Sequence, residues 1–235
     1  MLSTNSSFRR VPNTLNPKQT VFIDGIRHAA DIIEISYSRM RELLTEIALS
    51  PPQSDKLQTV IPYVFLDAWA MVDAIHKLRN LYIKFPHAIK EPLTEGVRSF
   101  SDSLEQVIDI RNIADHPHQR FDSVISKGGA AFGVMTWMTV FNSTPLEAYF
   151  CTLQPGTLKS EPKFKRPEIL AELELPTDRI CLSLGGKTAN LSESYTYIES
   201  IVRDMEIQLE YEFQTLPKNF ILNDVLLRQV YRPIE

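Results

Sequence analysis

Three observations on this 235-residue chain predict a mainly helical α+β fold. Long stretches place apolar residues at helical spacing. Prolines stand at the ends of those stretches, where a helix must stop or start. Between the third and fourth stretches the pattern changes to β-branched and aromatic residues flanking a turn. The expected architecture is an antiparallel helical bundle of about four long helices, with a small antiparallel β insertion between the third and fourth.

The first helix is predicted over Pro17–Leu49. Ile26, Ala29, Ala30, Ile33, Tyr37, Met40 and Leu44 recur on one face, and Asn16-Pro17 supplies a cap and a first-turn proline. Ser50-Pro51-Pro52 ends it. A second helix is predicted over 54–85, with Val64, Phe65, Ala68, Val72, Ile75, Leu78 and Tyr82 as its stripe. Pro62 predicts a kink or a late start. A third helix is predicted over 91–115, failing where Asp115 meets His116-Pro117.

Residues 132–141 and 146–153 then read as a β-hairpin joined by four residues, Asn142 to Pro145. Residues 179–184 read as a third strand. The Gly185-Gly186-Lys187 that follows lacks the spacing of a phosphate loop and reads as a glycine turn. The last long helix is predicted over 192–216, with Ser192 as N-cap and Pro217 as its stop. The tail beyond Phe220 is apolar enough to dock, as strand or short helix.

Composition narrows the class. At 43% hydrophobic and 23% charged residues, the chain is ordinary for a folded soluble protein. No apolar run approaches the roughly 20 residues of a membrane span. Residues 1–16 lack the apolar segment of a secretory signal and are expected to be a flexible tail. Residues 17–235 are expected to form one domain, with the β insertion at about 130–186. Cys151 and Cys181 read as free thiols in a cytoplasmic protein. A net charge of -4 argues against a general nucleic-acid coat protein but leaves room for a local phosphodiester site. No metal-ligand set, nucleophile motif or dinucleotide glycine pattern is found, so no cofactor and no membrane partner are expected. Trp69 and Trp137, within apolar patterns, read as core, and His28 and His76, inside helices, as structural.

One run carries recognisable chemistry: Arg111-Asn112-Ile113-Ala114-Asp115-His116-Pro117-His118. Its plainest reading is an arginine paired with Asp115 at i,i+4 and a solvated histidine at a helix end. A second reading follows from residue type. Histidine titrates near neutral pH and suits proton transfer, and arginine offers a fixed fork of donors to phosphate oxygens. Arg111 has four residues between it and His116, and six before His118. The near miss, Arg79-Asn80 with His87, has seven and crosses Pro86.

With its helical surroundings, this run resembles the signature of HEPN domains: an arginine followed by a polar residue, then a histidine after four to six positions. The resemblance covers about 17–118. It implies a helical bundle acting as a symmetric homodimer, with Arg111, Asn112 and His116 catalytic in a metal-independent endoribonuclease of toxin or defence type, and an antitoxin protein as a further partner. His118 and the basic residues Lys163, Lys165 and Arg166 would contact the RNA substrate. Either His116 or His118 fits the pattern, and His116 is preferred as the nearer. The alternative within the same resemblance is a catalytically inactive module for dimerisation or for binding RNA, a nucleotide or a protein. A third reading is an unrelated helical protein with Arg111 and His116 on its surface. Residues five apart on a straight helix diverge by about 140°. Arg111 and His116 therefore converge only if Pro117 breaks the helix or a two-fold partner supplies the second residue.

Overall fold

The computed structural model describes residues 1–51, 54–84, 102–116, 122, 130–156, 176–217, 220, 224–226 and 228. After a short 3-10 turn, Ser7–Arg9, come α1 (Pro17–Leu49), α2 (Ser54–Ile83), α3 (Glu105–Asp115), β1 (Val134–Ser143), β2 (Leu146–Leu153), β3 (Thr177–Leu184), β4 (Lys187–Asn190) and α4 (Leu191–Phe213). The four strands form one antiparallel sheet in the order β2-β1-β3-β4. The fold is α+β.

α1 begins and ends where the sequence places it. Asn16 accepts from Gln19 N, while Gln19 returns a bond to Asn16 N, a reciprocal cap that satisfies two end donors. Ile26, Ala30, Ile33, Met40 and Leu44 are fully buried along it. α2 packs along this face with Val64, Ala68, Val72, Ile75 and Leu78. Gly25 marks a close approach: a Cβ there would lie 2.8 Å from a methyl of Leu81. Pro62 sits inside α2 on its exposed side and does not delay the start at Ser54. α3 is described over Glu105–Asp115, and the earlier part of the expected third helix lies outside the described residues.

The sheet belongs to the same core as the helices. Met135, Trp137, Ile180, Leu182, Leu184 and Ala189 join the cluster formed by α1 and α2. Ile180, Leu182 and Leu184 alternate along β3, the period-two pattern of one buried sheet face. Trp137 Nε1 donates to the Leu44 carbonyl at 3.1 Å. Arg41 Nε donates to the Thr177 carbonyl at 2.8 Å, and Thr45 and Thr177 join their hydroxyls at 2.7 Å. These bonds pin β1 and the start of β3 to the second half of α1. Cys151 and Cys181 are free and only partly buried, on strands either side of β1, and burial pushes the Cys181 thiol up to about 11.

Four expectations need correction. Residues 1–16 are not a flexible tail, because Phe8 and Val11 are fully buried in the common core and Arg9 pairs with Asp31 at 2.6 Å. A polar composition concealed two apolar anchors. The hairpin connection is Thr144-Pro145, not four residues, because a register shift between Val140 and Asn142 carries β1 on to Ser143. A fourth strand, β4, follows a two-residue glycine turn in which Gly185 and Gly186 have φ of 57° and 82°. The cap of α4 is Asn190, whose side chain accepts from Glu193 N, and Ser192 is instead buried. Its hydroxyl accepts from Tyr37 Oη at 3.1 Å and from Ile180 N at 3.0 Å, joining α1, β3 and α4.

The terminal segments meet on the helical side. Pro12 and Phe220 form an isolated bridge, and Asp224 receives two bonds from the buried Arg27 at 2.9 and 2.7 Å. Among the described residues no helix is long and apolar enough to cross a membrane.

Phe8→Ala is expected to destabilise the protein by about 3–5 kcal/mol, as for any fully buried phenylalanine. Urea unfolding measures this, and a loss below about 1 kcal/mol would show that the N-terminal segment is not part of the core.

Candidate functional site

α2 presents one polar stripe at its C-terminal end. Asp73, His76, Lys77 and Asn80 recur at steps of three and four residues, which places them on one helical face, and Lys84 follows just past the helix end. Opposite them, α3 buries Val107 and Ile110 and leaves Arg111 at the edge of its buried side. The space between is a cleft of about 490 Å³, walled by Phe22 and Leu81 at its apolar side and by this stripe and Arg111 at its polar side.

Arg111 is held across the cleft. Its Nε donates to Asp73 Oδ1 at 3.0 Å, and its Nη1 donates to Asp115 Oδ2 at 2.6 Å. The pair with Asp115 is the i,i+4 contact expected from sequence; the tie to Asp73 joins two helices. Both carboxylates are substantially exposed, so each pair contributes little to stability, about 0–1 kcal/mol. The larger effect is geometric. Two of the three guanidinium nitrogens are fixed, and Nη2 is engaged in neither bond.

His76 faces the same cleft and meets Asn80 Nδ2 through its Nε2 at 3.1 Å. Burial lowers its pKa from the ordinary histidine value, the positive charges of Arg111 and Arg79 lower it further, and Asp115 and Asp73 offset this in part. The ring is therefore neutral near pH 7, beside a cation. Lys77 and Lys84 supply further positive charge. An arginine, two lysines and a neutral imidazole around one open cleft can bind a phosphate group and accept a proton next to it.

A second, apolar cavity of about 570 Å³ continues along α2 towards its N-terminal half, and Asp73 lines both. Phe65, Trp69 and Phe132 form its aromatic walls, and Trp69 Nε1 is fixed by a 3.1 Å bond to the Phe132 carbonyl. Trp137, in contrast, is core as expected.

Of the three residues singled out as catalytic, only Arg111 lines the cleft. Asn112 and His116 are exposed, with His116 as the C-cap of α3, and neither makes a hydrogen bond or ion pair among the described residues. His118, Lys163, Lys165 and Arg166 lie outside the described residues. The sequence reading missed His76, Lys77, Asn80 and Lys84. Their helical spacing was visible, but their meeting with Arg111, which bonds Asp73 from 38 residues away, was not. Among the described residues no group of three or more His, Cys, Asp or Glu is arranged to hold a metal ion. Comparison with protein-family models, curated proteins and solved structures finds no match to this chain.

The depressed His76 pKa gives a stability prediction with a definite sign. Between its folded and unfolded pKa the unfolded chain binds more protons, so stability rises with pH there and falls as pH drops through the folded value. His76→Gln is expected to flatten that fall. Urea unfolding of both proteins from pH 5 to 7.5 measures it, and equal slopes would mean the ring is not held neutral.

Proposed function

We propose that this chain is a HEPN-like helical protein that cleaves RNA without a metal ion, as a toxin or defence enzyme, with Arg111 at the centre of the site. In this reading α1, α2, α3 and α4 are the elements of a HEPN-like bundle. The observation that carries the proposal is the cleft between α2 and α3, where Arg111 opens onto Lys77, Lys84 and a neutral imidazole. Ribonucleolysis without metal needs such a set. The ribose 2′-oxygen attacks the adjacent phosphorus, one group takes its proton, and donors stabilise the charge that builds on the non-bridging oxygens. Arg111 Nη2 and the lysines suit the second task.

Following the family pattern, His116 and Asn112 act across a two-fold axis, each α3 completing its partner's site. Their exposure on the free edge of α3 leaves them available for this. The aromatic cavity that shares Asp73 with the cleft favours single-stranded RNA, because a base that has left its stack can lie against Trp69. An antitoxin protein would be a further partner.

One observation favours the alternative, a catalytically silent module that binds RNA. Arg111 already holds two carboxylates, so a phosphate must compete with Asp73 and Asp115 for it.

Cleavage of a mixed single-stranded and structured RNA pool in chelator separates the two readings. The enzyme reading expects products with 2′,3′-cyclic phosphate ends and a loss of about 100-fold or more in Arg111→Ala. RNA binding that falls with Arg111→Ala, without any cleavage by a folded wild-type dimer, assigns the silent module. Removing Trp69 by Trp69→Ala is expected to weaken single-stranded RNA binding by about 1–3 kcal/mol, read by titration, and to leave duplex binding unchanged.

A further inference from the structure

We infer that His76 on α2 is the proton acceptor for the 2′-hydroxyl, so that the base comes from the same chain as Arg111. The inference rests on the ribonuclease reading and names the group that takes the proton. A histidine five residues beyond Arg111 on the same helix points about 140° away from it. His76 has no such difficulty. It comes from the facing helix, three residues from the Asp73 that receives Arg111 Nε, and both side chains line the same cleft. His116 does not line it.

The surroundings suit a base. Asn80 holds the ring through Nε2 at 3.1 Å. With its amide turned so that Oδ1 accepts from Nε2–H, the ring's lone pair is on Nδ1, free to take a proton. Among the described residues, the charged groups facing His76 are Asp73 and Arg79 on its own helix and Arg111 and Asp115 on α3. Lys77 and Lys84 share the cleft, and from α1 the wall is Phe22, which carries no charge. With burial, the cations outweigh the carboxylates and keep the resting ring unprotonated.

In the step itself the O2′–phosphorus bond forms as the 2′-hydroxyl proton passes to His76 Nδ1. The phosphorus–O5′ bond breaks, and O5′ leaves with the bonding pair and takes a proton from solvent, to which the cleft is open. The products are a 2′,3′-cyclic phosphate and a 5′-hydroxyl, and His76 returns its proton to water. Arg111 donates to the non-bridging oxygens throughout.

The experiment measures RNA cleavage from pH 5 to 8 for wild type and His76→Gln, each first shown to be folded. It also follows the histidine ring signals by NMR as a 2′-O-methyl oligouridylate, which cannot be cleaved, is added. Wild-type kcat is expected to rise with pH and level off after an inflection below about 6.5. His76→Gln is expected to lose about 100-fold or more in kcat, with that inflection, while KM changes little. The His76 signals are expected to move as the oligonucleotide binds. Cleavage that survives His76→Gln with its pH profile intact overturns the inference and leaves the ribonuclease reading standing. No cleavage by wild type overturns both.

Discussion

The fold depends on the burial of one helix on two sides. The apolar positions of α1, from Ile23 to Ala48, span an arc of roughly 120°, wider than a single neighbour covers. α2 covers part of that arc, and β1 and β3 cover the part nearest the C-terminal end of α1. Phe8 and Val11 complete the same cluster. None of these layers has an apolar face broad enough to stand alone in water, and α1 is the surface they share. The polar bonds at its margins are few but placed where layers meet. The Ser192 hydroxyl ties α1 to β3 and α4, and Thr177 ties β3 to α1.

That arrangement explains why the cleft lies where it does. α2 is committed to α1 through its Val64 to Leu78 stripe, so its polar stripe faces outward at an angle. α3 settles against the opening, held by Leu104, Val107 and Ile110 on one side and by the 2.7 Å pair of Asp109 with Lys187 of β4 on the other. The sheet thus sets the position of Arg111 without contributing to the lining of the cleft.

The sequence carried whatever is written in local pattern. Both ends of α1 were legible because Asn16, Pro17 and the prolines after Ser50 act within a turn of where they stand. The two strands of the hairpin and the third strand were legible from their residue types. β4 was not, since four residues with one buried alanine leave no periodic trace. Asn190 took the cap assigned to Ser192 because asparagine caps at least as well and the serine hydroxyl was needed elsewhere. The site was half legible. Arg111 stood out from its neighbours in sequence, whereas His76 gained its place only from a contact between helices, and no spacing rule within one helix reports that.

Because Arg111 is flanked by Asp73 and Asp115, the trio has one positive charge against two negative ones when seen from a distance. It therefore does not attract an anion from solution, and that pull comes from Lys77 and Lys84. The guanidinium acts only at contact, where an incoming group must match its planar fork well enough to displace or share a carboxylate. For an anionic ligand, attraction and discrimination would thus fall to different side chains, and raising the salt concentration would weaken the first far more than the second.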